Sequence, residues 1–340
     1  MSMADRYREA GVDLDQAAEA KRRIAASVAS TRTDLATGLL GAFGGMLRLP
    51  SGIEDPNLVM STDGVGTKVL VAIRAGRHDT VGEDLVNHCV DDILVHGARP
   101  LAFLDYIASA DVKTDTVAAL VEGVARGCRE HGMTLVGGET AQLPELYHPG
   151  HYDLAGTIVG VVSEREALHG DRVHPGDVLL GYASTGLHTN GYTLARKIVF
   201  DEMGLDIGDD LPGLGLSVAD ALLAVHRSYW AAVRPALSHL HALAHITGGG
   251  IPGNLSRSLP KGCSAIIRRD RWPLPPLFSL LQERGRVSWT EMYHVFNMGL
   301  GMIAALPSEH VEEARRAAEA AAVDTWEVGE VCTGDAVQLV

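Results

Sequence analysis

STDGVGTK, residues 61–68, follows the short apolar run Leu58-Val59-Met60 and places an acid, two glycines, two threonines and a lysine at one strand end. Gly64 and Gly66 let backbone N–H groups approach phosphate oxygens beside Thr67. Asp63 can hold a divalent cation there, and Lys68 adds a fixed positive charge. This is nucleotide chemistry, yet GxxxxGK[ST] does not occur, and Gly64-Val65-Gly66 lacks the third glycine of a dinucleotide fingerprint. A turn that merely needs glycine is the competing reading, and the rest of the chain decides between them.

Downstream, Val69 to Ala75 continues as a short apolar element, and GEDLVNHCVDDILVHG, residues 82–97, reads as a helix with Leu85, Val86, Cys89, Val90 and Ile93 toward a core. His88, Asp92 and His96 recur at i, i+4 on its other side, a stripe expected to be a solvated face rather than a metal site. Asp92 carries more weight, because two adjacent acids in mid-helix are unfavourable unless a cation is close. LAFLDYIA, 101–108, is a second strand and 115–131 an amphipathic helix. A third strand, 134–136, then runs into Gly137-Gly138-Glu139-Thr140. Strand, glycine, acid and threonine thus occur twice, with an acid on the intervening helix. The pattern predicts a magnesium–phosphate site assembled from Asp63, Asp92 and Glu139 within one domain.

Upstream, Asp13 or Asp15 can cap a helix that ends before STRTD, 30–34. The glycine-rich TGLLGAFGGMLRLPSG that follows reads as a connector or as a phosphate-approaching lid. A fourth strand, 154–162, precedes SEREALHGDRVHPGD, the best linker candidate. The second half opens with a strand at 178–183 and the polar turn STGLHTNG, where the absence of GxSxG argues against a hydrolase serine. A long helix is expected from about 218 to 244, with His241 and His245 as structural residues near its end. Thr247-Gly248-Gly249-Gly250 then precedes a helix and can receive an anion on its N–H groups. Strands and helices alternate to the end, giving an α/β (α+β) chain of two domains, residues 1–165 and 166–340.

Composition narrows the function. With 29 Lys plus Arg against 43 Asp plus Glu, the formal net charge is −14, which disfavours nucleic acid and anionic membranes as partners. Cys89, Cys128, Cys263 and Cys332 form no metal-binding pair and suit buried thiols in a reducing compartment. No apolar run is long enough for a membrane span, and MSMADRYREAG is too polar for a secretory signal, so a cytoplasmic location is expected.

The motifs together resemble the phosphoribosylformylglycinamidine cyclo-ligase (AIR synthetase) family. The likeness runs through YREAGVD (7–13), GAFGG (41–45), STDGVGTK (61–68), RHDTVGEDLVNHCVDDILVHGARPLAFLDY (77–106) and LVGGETAQLP (135–144). It continues in STGLHTNGY (184–192), AHITGGGIPGNLSRSLP (244–260) and EMYHVFNMGLGMIAALP (291–307). The resemblance implies an N-terminal four-stranded sheet that joins a second subunit's sheet into a barrel, a larger C-terminal α/β domain, and a cleft between them as active site. It implies ATP and Mg2+ as cofactors, with a monovalent cation such as K+ as an addition, formylglycinamidine ribonucleotide as substrate, and a homodimer. Asp63, Asp92 and Glu139 become magnesium–ATP ligands. Gly44 and Gly45 become part of a nucleotide lid, and Gly64, Gly66, Thr67, Lys68, Gly138 and Thr140 become nucleotide contacts. His188 and Lys68 are the expected catalytic residues, with Thr247, Gly248, Gly249 and Gly250 on the substrate's 5′-phosphate and Asn190 and Asn297 on its other groups. The chain departs from the family pattern at Ala17-Ala18, at Asp91-Asp92 in place of Asn-Asp, and at AQLP, 141–144. Asp91 is expected either to add charge near the cation or to face solvent. A kinase of the same superfamily is the rival enzyme reading. A nucleotide-binding maturation scaffold is the non-enzymatic one, though it wants a terminal cysteine where this sequence reads TGDAVQLV.

Overall fold

The protein is described by a computed structural model over residues 14–38, 43–111 and 113–340. YREAGVD and Asp13 lie outside these residues, as does Gly41-Ala42 of the GAFGG stretch. Strands β1 (Pro56–Gly64), β2 (Arg99–Ser109), β3 (Thr134–Gln142) and β4 (Tyr152–Ser163) form one sheet in the order β1-β4-β2-β3. The second sheet contains β5 (Val178–Ala183), β6 (Ala242–His245), β7 (Cys263–Ile267), β8 (Leu300–Leu306), β9 (Thr325–Thr333) and β10 (Gln338–Leu339). Its order is β10-β7-β9-β5-β8-β6.

In the first sheet only β2 and β3 run parallel, and the helix Thr114–Glu130 supplies the crossover that such a pair requires. That helix and the helix Asp79–Leu94 cover one face of the sheet, burying Phe103, Leu135, Leu154 and Ile158 against Leu85, Val86 and Cys89. The two helices touch backbone to backbone. A Cβ on Gly123 would stand 2.0 Å from the Asp79 carbonyl oxygen, and one on Gly82 would stand 2.2 Å from that of Leu120. Gly123→Ala is therefore expected to destabilise the fold by about 3 kcal/mol through overpacking, seen as a lower urea midpoint at unchanged slope. An unchanged midpoint would show that the crossing can open without cost.

The other face of the sheet carries exposed Leu58, Met60, Leu104 and Tyr106. Strand alternation and register place these four on one side, with Thr157, Val159 and Val161 between them.

Several elements differ from their sequence expectation. Both glycine motifs lie largely inside strands: β1 extends to Gly64 and β3 runs through Gly137-Gly138-Glu139-Thr140 to Gln142. Ladder pairing with β4 and β2 fixes these glycines in extended backbone, a constraint that local turn chemistry does not reveal. Val69 to Ala75 belongs to the helix Lys68–Ala75. The long helix expected at 218–244 is instead Val218–Leu222, Trp230–Val233, a 3-10 turn at Arg234–His239 and then β6. Pro235 cannot donate within a continuous helix, and β6 is drawn into the sheet beside β8.

Candidate active site

Asp63 reaches the site from the C-terminal end of β1, where its Oδ1 accepts the Gly64 N–H at 2.6 Å and its Oδ2 stands 2.6 Å from His88 Nε2. Asp92 comes from the helix Asp79–Leu94, which packs behind β1 and turns the His88–Asp92 stripe inward. Its Oδ2 accepts the Ser61 hydroxyl at 2.9 Å, and its Oδ1 lies 2.9 Å from His245 Nδ1 on β6. His88 and Asp92 are thus not on a solvated face, because the second domain covers them, whereas His96 lies past the helix end and stays exposed beside the cavity. Helical periodicity within the first domain carries no signal of that contact.

Four imidazoles meet behind the two carboxylates. His88 Nδ1 contacts Thr189 Oγ1 at 2.7 Å, Thr189 Oγ1 contacts His226 Nδ1 at 3.3 Å, and His226 Nε2 contacts His245 Nε2 at 3.2 Å. His188 stacks on His226 with ring centres 4.0 Å apart. All four are buried. Burial raises the Asp92 pKa, but the His245 hydrogen bond, His88 and Ser61 outweigh it and hold Asp92 at about 2. Asp63 is likewise lowered, its burial outweighed by His88, and the Asp63 and Asp92 charges raise His88 against its own burial. Burial dominates at His188 and His226 and keeps both neutral.

Asp91 neither faces solvent nor adds a charge. It is fully enclosed, accepts the Tyr229 N–H at 2.8 Å and lies 3.5 Å from His226 Nε2, and burial raises its pKa far above the carboxylate range.

In front of the carboxylates opens a cavity of about 490 Å³ whose lining includes Ser61, Asp63, Asp92, His245, Thr247 and Arg257. Of Thr247-Gly248-Gly249-Gly250, Thr247 lines the cavity together with Asn254 and Arg257, and the three glycines lie behind it, outside the lining. The Asn254 side-chain amide donates to the carbonyls of Thr247, Gly248 and Gly250 and holds the run in place. Gly250, at φ +63°, tolerates no side chain, since a Cβ there would stand 1.9 Å from the Tyr293 carbonyl oxygen. Asn190 meets the same run: its Oδ1 is 3.4 Å from where a Gly248 Cβ would sit, and its buried Nδ2 has no partner.

Three expected site residues occupy other places. The Lys68 ammonium is fully enclosed, 2.8 Å from Asp84 and donating to the carbonyls of His188 and Ala224 at 3.0 and 2.7 Å. With its donors used between the two domains, it has none to offer a phosphate. His188, at φ +60°, turns its ring toward His226, and its Nε2 accepts the Thr185 N–H at 3.2 Å, away from the cavity lining. Asn297 is buried and structural, donating to the Gly186 carbonyl at 2.8 Å and accepting from the Gly299 N–H at 2.9 Å.

Glu139 does not join Asp63 within one chain. The register runs Asp63 to Gly156 to Asp105 to Gly138, three strand spacings, so β1 and β3 are about 14 Å apart at opposite edges of the sheet. Asp105 fills the gap: a Cβ on Gly138 would meet its Oδ1 at 2.0 Å, and burial raises its pKa to about 7. Gly45 packs on the β3 side, where a Cβ would stand 2.5 Å from that of Val136. Gly44, Gly45, Gly138, Glu139 and Thr140 thus form a second group at the β3 edge. Gly64, Gly66 and Thr67 stay near the β1 end, where the Thr67 hydroxyl contacts that of Thr193 at 3.0 Å.

Sequence reasoning missed His226, His245 as a site residue, Ser61 and Arg257. For Arg257 a signal was present, a cation shortly after the TGGG run.

The buried imidazoles also set an acid limit. Burial lowers His131, beside Asn87 Oδ1 at 3.1 Å, to about 4. In the unfolded chain it titrates near 6.5, so the folded state binds fewer protons below that pH. Stability from this group is complete above pH ~6.5 and falls by about 3 kcal/mol as the pH drops toward 4. Urea midpoints across this window are expected to fall less steeply for His131→Gln; equal slopes would contradict the assignment.

Comparison with known proteins agrees with this architecture. Residues 45–162 match the AIR synthase related protein N-terminal domain and residues 174–340 its C-terminal domain. The phosphoribosylformylglycinamidine cyclo-ligase of Geobacter metallireducens is 48% identical over 310 residues, 90% of this chain and 89% of its own. That of Cupriavidus pinatubonensis is 45% identical over 330 residues, covering 96% and 93%. Among solved structures, thiamine-monophosphate kinase from Stenotrophomonas maltophilia has a TM-score of 0.71 at 18% identity, covering 94% of this chain and 95% of its own. The hydrogenase maturation protein HypE in complex with ATP has a TM-score of 0.63 at 18% identity, covering 94% and 90%. At such identities the two structures share the fold alone. The two domain matches and the near full-length relatives show that this chain belongs to the AIR synthase related family, beside its phosphoribosylformylglycinamidine cyclo-ligases.

Proposed function

We infer that this chain closes formylglycinamidine ribonucleotide to 5-aminoimidazole ribonucleotide with release of ADP and phosphate. The observation that carries this reading is a cavity whose lining combines two ionised carboxylates, Asp63 and Asp92, with Thr247, Asn254 and Arg257. One side suits a cation with a polyphosphate, the other a phosphate monoester.

An amide oxygen leaves poorly. ATP first phosphorylates the formyl oxygen, the ribosyl-bearing amidine nitrogen attacks the same carbon, and phosphate departs with that oxygen. Thr247 and Arg257 hold the substrate's 5′-phosphate, which fixes the formyl group against the nucleotide and lowers the entropic barrier. Asp63 and Asp92 offer carboxylate oxygens to the cavity and fit a Mg2+ ion, which when bound would neutralise charge on the transferred phosphoryl group.

A homodimer accounts for the uncovered sheet face and for the separation of the two nucleotide groups. A second sheet packed on Leu58, Met60, Leu104 and Tyr106 would close a barrel, bury these side chains and bring one subunit's Glu139 edge toward the other's Asp63 edge. Met60→Lys is expected to shift the protein toward monomer in analytical ultracentrifugation and to lower turnover with it.

The reading is tested by measuring ADP and the aminoimidazole product together. Equal amounts are expected. ADP without ring closure would instead favour a phosphotransferase.

A further inference from the structure

The cation site contains more than its carboxylates require. Magnesium binds oxygen, keeps much of its water and gives no role to an imidazole. Yet His88, Asp92 and His245 each present a ligand atom, all within 4.8 Å of one another. Asp63 Oδ2 lies 2.6 Å from His88 Nε2, Asp92 Oδ1 lies 2.9 Å from His245 Nδ1, and Asp92 Oδ2 lies 3.9 Å from His88 Nε2. Ligands at about 2.1 Å from a common tetrahedral ion stand about 3.4 Å from each other, so His88, Asp92 and His245 need shifts of only about 1 Å to share one, while Asp63 stands outside this group beside His88.

We propose that the Asp63–Asp92 site of this chain is a mixed imidazole–carboxylate centre that takes a first-row transition cation directly on His88 and His245. The proposal rests on the reading of Asp63 and Asp92 as the cation site and specifies which ion they accept.

Two further observations support it. His88 Nε2 is buried and makes no aligned hydrogen bond, although the Asp63 oxygen is close. The outer nitrogens are also already held, as metal-bound imidazoles require: His88 Nδ1 by Thr189 Oγ1 at 2.7 Å, and His245 Nε2 by His226 Nε2 at 3.2 Å. The adjoining cavity leaves a coordination position open to water or a phosphate oxygen. Nitrogen ligands favour Mn2+, Co2+ and Zn2+ over Mg2+, so the nucleotide would meet an ion already resident in the protein.

The test uses the full chain, stripped of metal by chelator and free of nucleotide. Titration with Co2+ is expected to give one equivalent bound per chain with visible bands of nitrogen ligation. His88→Gln and His245→Asn are each expected to weaken that binding roughly tenfold or more. Because a buried histidine variant can fail to fold, Mn2+ bound to the unaltered protein gives an independent reading, with imidazole-nitrogen modulation expected in its pulsed electron spin resonance. Absence of the Co2+ bands, bands unchanged in both variants, or Mn2+ without nitrogen modulation would overturn the proposal. Binding of ATP with Mg2+ by the unaltered protein is measured separately. Its failure would remove the nucleotide reading and leave the Co2+ result to stand by itself.

Discussion

Lys68→Met is expected to destabilise the protein by about 3–5 kcal/mol, because it strands the Asp84 carboxylate in a site without solvent. Both side chains are 0% exposed. Burial pulls the lysine pKa down and the aspartate pKa up, and the 2.8 Å contact opposes both shifts. Three acceptors surround the ammonium, and Asp84 Oδ1 also accepts the His226 N–H at 2.6 Å. The pair therefore ties the helix Lys68–Ala75 and the helix Asp79–Leu94 to the His188 turn and to the loop before Tyr229. Removing both charges with Lys68→Met and Asp84→Leu together is expected to recover much of the loss, since a buried pair is itself near neutral against an apolar replacement. Urea unfolding of the two variants decides it. A single variant as stable as the unaltered protein would show that Asp84 has another partner.

Asp63→Asn is expected to lower ATP turnover roughly 10³-fold, the scale seen when a fixed electrostatic partner of the transferred group is lost. The fold is expected to survive, because Asp63 is partly exposed at the end of β1 and its Oδ1 contact with the Gly64 N–H can be kept by an amide oxygen. Phosphate release and the urea midpoint should therefore separate: one collapses while the other stays. Turnover within tenfold of the unaltered protein would remove Asp63 from the cation site.

Much of this site was legible in the sequence, and the failures share a cause. Asp63 was found because an acid between glycines at a strand end has few other uses, and Asp92 because adjacent acids in mid-helix need compensation. Thr247 to Gly250 stood out for the same local reason. What stayed hidden depends on contacts between distant segments. Lys68 looks like a phosphate lysine until Asp84 and two carbonyls from the second domain enclose it. His88 looks solvated until β6 and the loop carrying His226 cover its helix. Asp91 looks like an added charge until burial neutralises it, against the opposing Tyr229 N–H. Glu139 repeats the chemistry of Asp63, but sequence spacing does not tell that β4 and β2 lie between their strands.

Strand and helix extents failed in the same way. β1 runs on to Gly64 and β3 runs past Gly137 and Gly138 because each has a neighbour to pair with, and pairing outweighs local preference. The alanine-rich 218–244 stretch suggested one helix by composition. Its apolar residues serve three short segments and a buried edge strand instead.

The central claim is that Asp63 and Asp92 activate ATP next to a substrate held by Thr247 and Arg257. Its most direct test is the crystal structure of the protein with a non-hydrolysable ATP analogue and formylglycinamidine ribonucleotide. The account predicts the terminal phosphate on a cation held by Asp63 and Asp92, the formyl oxygen beside it, and the 5′-phosphate at Thr247 and Arg257. A triphosphate bound away from both carboxylates, or a 5′-phosphate outside this cavity, would contradict it.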